Sequence, residues 1–569
     1  MLPNHISSLL IQSRLRKPRL YLLVATLAVV GCATVRVPTI ESHHLENPDS
    51  YDFSHPQARF FVDKLYKSLS TSVGRVEIED VAHQFVDLPR SEIPRSDLFE
   101  IKFRYQHWRH VVYGRILDAI VGSGDPAALQ ERIDALGALS LSSDVEDLLL
   151  IYESTQSWTE SSNYRTLITS YADLVMLQGD TRITDEVIDK KLPLLGAELE
   201  VTNTDGPEKR IRIPPSYKSN WPFERWSKYE SFSHYARTAD GVMYRGIEFL
   251  PGDTLIVNLQ NPSEGLFTVV LEGRNYSPHM AIYIDVEAET GSFPAVYEIH
   301  QVGVRLVPLH IFLSDSVSSY IEVFRHRDAP RDWRERFSSA ALQILTREQG
   351  FNLFADELHS DGSHYLTCVT AVQHLVESSG IYPSYPAQTD VSPGTLVHVA
   401  PLGFESLRYH SPTDFLTWDQ FELVGVVDNG GYLDDIARQL VNERLSQRMA
   451  ESTLRLDSGA YRIFRWASGL VLRQVPVVAP LLRSAFGYTK GNFPMGTKEL
   501  LAFMELIQID INKSVANLKP GLEELLSDYT TTDSFSIHSL IEDPGMQSAV
   551  DESVKPLNRW FAESASALP

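Results

Sequence analysis

Cysteine is scarce in this chain: two residues among 569. That excludes a disulfide scaffold, a zinc ribbon and a cysteine-ligated iron–sulfur centre, all of which need more thiols. Basic charge is short as well. Lys and Arg number 51 against 74 Asp and Glu, a formal net charge of -23, and no long basic stripe gathers the cations. Phosphate affinity comes from clustered Lys and Arg, so nucleic acid is not an expected partner. No phosphate-binding glycine loop, GxSxG elbow, dinucleotide fingerprint, internal repeat or low-complexity tract occurs, and no cofactor is called for. What is present is an ordinary globular balance, 43% apolar and 22% charged. At roughly 100 to 200 residues per domain, the length predicts two to four domains.

The N-terminus accounts for one thiol. Arg14, Arg16, Lys17 and Arg19 precede an uncharged, mostly apolar run from Leu20 to Val30, followed by Gly31 and Cys32. A basic flank, a short apolar stretch and a small residue at the cut describe a signal peptide, and the run is too short to span a bilayer. Val29-Val30-Gly31-Cys32 resembles the bacterial lipobox, which implies lipidation of Cys32 as the first mature residue. Ala33 stands where an inner-membrane retention signal usually has Asp, so the resemblance implies the outer membrane; the leaflet is not written in the sequence, and a periplasm-facing protein is the expectation.

The periodicity of the remainder predicts an α+β protein. Residues 1–31 read as signal peptide and 32–75 as the lipidated Cys32 with its tether. Residues 76–215 form a helical region, including Ser96 to Gly122, Asp125 to Gly137 and Ser143 to Gly179. Residues 216–430 are expected to form a strand-rich domain, the one in which a catalytic site is expected, with strands at Thr254 to Leu259, Thr268 to Leu271, His279 to Val286, Ala295 to Gln301, Arg305 to Leu309 and Tyr320 to Phe324. Residues 431–569 are helical again, with Asp434 to Leu454 and Thr497 to Leu526 as long elements. Trp466 to Gly487 is apolar, but Arg473, Pro476, Pro480 and Arg483 interrupt it, so it reads as a core or surface hairpin rather than a span.

The second thiol, Cys368, has no intramolecular partner in a secreted chain. Asp361-Gly362-Ser363 form a turn before it, and Val369, Val372, Leu375 and Val376 lie on one helical face that Gly380 ends. Cys368 is therefore expected in the first turn or two of a helix, where the helix dipole favours a thiolate. Upstream, His279 opens a strand, a position from which an imidazole can exchange a proton with a thiol. In Val296-Tyr297-Glu298-Ile299-His300, alternation places Glu298 and His300 on one face, and either can orient that imidazole.

Taken in order, Gly252-Asp253, Ser277-Pro278-His279-Met280-Ala281-Ile282-Tyr283, Val296-Tyr297-Glu298, Pro308-Leu309 and Thr367-Cys368 resemble the circularly permuted branch of the NlpC-type papain-fold hydrolases. Within that branch the chain resembles the YiiX-like bacterial proteins and, more distantly, the lecithin-retinol acyltransferases. Ser411-Pro412-Thr413-Asp414-Phe415-Leu416 and Phe421-Glu422-Leu423-Val424-Gly425 resemble the tail of the same domain. The similarity covers about 180 residues, roughly 250 to 430, and leaves both helical flanks outside it. It implies a papain-like domain in which Cys368 is the nucleophile, His279 the general base and Glu298 the orienting residue. The chain departs from the family at Pro278 and Met280, and Glu287 to Pro294 reads as a longer hairpin loop; His300 remains the alternative third residue.

Other groups carry weaker signals. Asp356, Glu357, His359, Asp361 and His364 offer ligand atoms, but without an HExxH-like helical pair they read as a solvated loop, and no metal is expected. His300, His310 and His326 sit on or beside strands, and Trp221, Trp226 and Tyr229 read as core aromatics or a substrate groove. The expected function is that of an envelope lipoprotein cysteine hydrolase cleaving an amide bond in a peptidoglycan stem peptide or related peptide. A hydrolase or acyltransferase acting on a lipid ester or amide is the near alternative. A noncatalytic binding or scaffolding lipoprotein is the alternative of another class.

Overall fold

β-Branched and aromatic residues alternating with smaller ones build a central sheet. The computed structural model describes residues 51–70, 74–121, 202–203, 206–207, 236–244, 247–259, 279–288, 291–300, 303–313, 318–328, 332–345, 349–351, 357–358, 364–390, 408–428, 432–450, 454–456, 495–527 and 536–563. All of them belong to one unit, Ile40–Pro569. The architecture is mixed α+β with antiparallel sheets. Six strands, β1 (Thr254–Leu259), β2 (His279–Ala288), β3 (Gly291–His300), β4 (Gly303–Pro308), β5 (Ser318–His326) and β6 (Phe421–Asp428), form the main sheet in the order β6-β5-β1-β2-β3-β4. Every neighbouring pair is antiparallel.

Strands β1 to β4 form a meander whose bounds follow the expected apolar runs. One expectation is corrected: Glu287 to Pro294 is not a long hairpin loop. Pairing continues through Glu287↔Ser292 to Ala288↔Gly291, because Val286 and Phe293 still face each other across the ladder. The expected strand Thr268 to Leu271, the helices Asp125 to Gly137 and Ser143 to Gly179, the run Trp466 to Gly487 and Cys32 with its leader lie outside the described residues.

Helices occupy the surroundings of the sheet. Helix α1 (Pro56–Leu69) and α2 (Arg75–Val86) precede the long α3 (Arg95–Val121). Helices α4 (Trp333–Leu345) and α5 (Cys368–Ser378) both pack against β2, and α5 also packs against β3. Beyond the sheet, α6 (Tyr432–Ala450), α7 (Met495–Ser527), α8 (Ile537–Glu542) and α9 (Pro544–Ser553) complete the described helices named here. Among the described residues, no helix is long and apolar enough to cross a membrane.

The strand register decides which face each helix covers. Opposed residues of an antiparallel pair share a face. Tyr320 lies opposite both Asn258 and Asp428, whereas His279 lies opposite Val257 on the other side. Lys102 Nζ of α3 donates to Asn258 (2.9 Å) and sits 4.7 Å from the centre of the Tyr320 ring. Arg109 meets Asp428 at 3.3 Å, and Arg90 meets Glu322 at 3.0 Å. Helix α3 therefore backs the sheet on the face away from His279. Its other side engages the C-terminal helices, through a 2.7 Å bond between His107 Nδ1 and the Tyr432 hydroxyl and through His538 N donating to Glu100 (3.4 Å). Burial lowers the Lys102 ammonium from its ordinary range, and Glu322 and Asp435 partly offset this.

Candidate active site

Cys368 is the first residue of α5, and the local sequence fixes it there. Thr367 caps the helix: its Oγ1 accepts from Thr370 N (3.1 Å), while Thr370 Oγ1 accepts from Thr367 N (2.7 Å). Two threonines thus make a reciprocal capping box in which Thr replaces the usual Glu. The apolar face expected from the spacing is formed by buried Val369, Val372, Leu375 and Val376. At the far end Gly380 adopts φ +73°, with Ile381 N donating to Val376 O and Gly380 N to Glu377 O. This is a Schellman stop, a conformation that favours glycine. Cys368 is half-buried and in no disulfide.

His279 opens β2, and Glu298 lies on β3. Ile282 and Tyr297 oppose each other on one face, so His279 and Glu298, each an odd number of residues away, share the other. His279 Nε2 and Glu298 Oε2 are 2.7 Å apart, and both side chains are 4% exposed. With the carboxylate ionised, Nε2–H donates, which fixes the tautomer and leaves proton exchange with a thiol to Nδ1. Glu298, the first of the two candidate orienting residues, is bonded to His279. His300 closes β3 opposite Gly303, and its side chain lies outside the described residues.

Arg305 is the residue that sequence reasoning missed. It stands directly opposite Glu298 across the β3–β4 hairpin, donating Nε to Glu298 Oε1 at 2.7 Å with Nη2 at 2.5 Å from the same oxygen. The signal was available: folding the hairpin about residues 301–302 places opposite charges across from one another.

Gly252-Asp253 acts as an anchor for the strand that carries the histidine. Gly252 takes φ +100°, and a Cβ there would lie 2.1 Å from the Trp333 ring. Gly252 N donates to Tyr283 O (2.8 Å), and Tyr283 N donates to Asp253 O (2.7 Å), tying the turn to β2. The Asp253 carboxylate accepts two bonds from Arg325 of β5 (2.9 and 2.8 Å) and one from Leu250 N (2.8 Å). Ser411 caps the 3₁₀ turn Pro412–Thr417, and Arg95 ahead of Asp97 at the start of α3 donates to buried Asp414 (2.7 Å).

Of the remaining candidates, only His326 has a described side chain. His326 packs among the rings of Trp333, Trp418 and Phe421. Glu357 and His364 belong to short paired strands, and their side chains, like that of His310 and like Asp356, His359, Asp361, Trp221, Trp226 and Tyr229, lie outside the described residues. Among the described residues, no group of His, Cys, Asp and Glu is arranged to hold a metal.

The geometry joins an imidazole–carboxylate–guanidinium row on the sheet with a helix that begins at a cysteine and packs on the same two strands. Such an arrangement can move a proton at His279 and offer the helix-start amides of α5 to developing negative charge. Comparison of the chain with protein-family models, curated proteins and solved structures finds no match.

Proposed function

We propose that this chain is an envelope lipoprotein that hydrolyses an amide bond through a Cys368 thiol, in a circularly permuted papain-like domain. The bond between His279 Nε2 and Glu298, on strands against which the Cys368 helix packs, is the observation that carries the reading. In the proposed cycle His279 Nδ1 takes the thiol proton, and the Cys368 sulfur forms a bond to the substrate carbonyl carbon. The oxyanion is held by the Cys368 amide N–H at the start of α5. Collapse breaks the C–N bond, and His279 returns the proton to the departing amine, leaving a thioester. Water then attacks with His279 as base, releasing a carboxylic acid and the thiol.

A peptidoglycan stem peptide or related peptide is the proposed substrate, because the Cys32 lipobox would hold the protein on the outer membrane facing the periplasm. The test is turnover of such peptides by the wild type and by Cys368→Ala. Loss of release in a variant that unfolds like the wild type supports the reading. Unchanged release dismisses it, and a phenotype kept by Cys368→Ala points instead to a binding or scaffolding role.

A further inference from the structure

Glu298 is buried with a proton-sharing partner on each side. Its Oε2 faces His279, and its Oε1 receives the Nε and Nη2 of Arg305. An ionised carboxylate removed from water is costly unless it is paired. A neutral carboxylic acid at this position would hold an imidazolium less well and could rotate its hydroxyl away. The Arg305 fork addresses both needs: its charge keeps the carboxylate ionised, and its two prongs on one oxygen turn the other toward His279. Register makes the arrangement rigid, since Arg305 and Glu298 are opposed in the β3–β4 ladder and the Arg305 side chain is only 12% exposed.

We infer that Arg305 is a positioning residue for the Cys368–His279 pair, acting through Glu298. This rests on the hydrolase reading above. Arg305 touches neither the thiol nor the scissile bond in that scheme; it sets the state of the group that orients the base.

The experiment follows iodoacetamide alkylation against pH in the full chain, solubilised in detergent and carrying Cys32→Ala so that Cys368 is the sole thiol. Arg305→Met should move the acid limb of the profile upward by about one pH unit, and Arg305→Lys, which keeps the charge but not the fork, by less than half as much. Glu298→Gln should shift the limb too, and adding Arg305→Met to it should shift it no further, because both changes act on one coupled unit. An unmoved profile in Arg305→Met, or additive shifts in the double variant, would overturn the assignment while leaving the hydrolase reading intact. If His279→Ala leaves the profile unchanged, the hydrolase reading fails, and the inference with it. Should Arg305→Met not fold, as judged by circular dichroism, Arg305→Lys decides alone: no shift overturns the inference.

Discussion

At the scale of single residues, the site is a matter of which atoms face which. Glu298→Gln preserves shape but removes the charge that holds an imidazolium, and turnover should fall roughly 100-fold with little change in unfolding; a steady-state assay on a peptide amide checks it. Gly252 marks a different constraint. Gly252→Ala forces a side chain into φ +100° and against the Trp333 ring, and should cost about 2 to 5 kcal/mol, read by denaturant unfolding. Both Cys368 and His279 were legible as openings of elements, Cys368 from the turn residues before it and the helical spacing after it, His279 from the apolar run that follows it. Glu298 and His300 lie two residues apart on β3, so alternation along the chain does not choose between them, and the His279–Glu298 bond is visible only in the cross-strand geometry. Arg305 escaped notice because attention to motifs looks along the chain, whereas a ladder pairs residues across it.

At the scale of elements, the helix that begins at Cys368 depends on its cap. Thr367→Ala removes an oxygen that accepts from Thr370 N and should lower stability by about 1 kcal/mol, measurable as a reduced thermal midpoint. The described strands were legible from alternation: the run expected at Thr254 to Leu259 has those bounds, and those expected from His279, Ala295, Arg305 and Tyr320 are off by a few residues at their ends. The exception, Glu287 to Pro294, was misread because Gly291 and Pro294 look like loop punctuation. In the ladder, Gly291 pairs with Ala288 at the end of the strand and Pro294 lies opposite Asp285, positions that tolerate both. Helix α3 was legible as a helix but not as a central element. Its polar residues, among them Lys102, Arg104, Gln106, His107 and Arg109, are buried, and charge on that scale normally signals a solvated face.

At the scale of the whole molecule, α3 links the sheet to the C-terminal helices, so this described part of the N-terminal flank is packed into the same fold. Lys102 makes this testable by pH. Its folded-state affinity for a proton is lowered by burial, so between that lowered value and the free-lysine value of about 10.4 the unfolded chain binds more protons and stability rises with pH. Relative to Lys102→Met, the wild type should therefore gain stability as pH climbs toward 10, in paired denaturant titrations; a constant difference would contradict a lowered proton affinity of Lys102 in the folded state. For the anchor, Cys32→Ala should abolish incorporation of a labelled fatty acid in cells, and retained label would remove the lipoprotein proposal.

The most direct test of the central claim is the alkylation rate of Cys368 against pH, in the full chain bearing Cys32→Ala and in the same chain with His279→Ala. The account predicts rapid alkylation well below the ordinary thiol value of about 8.5, lost without His279. Slow alkylation in both, or none until the chain unfolds, would contradict it.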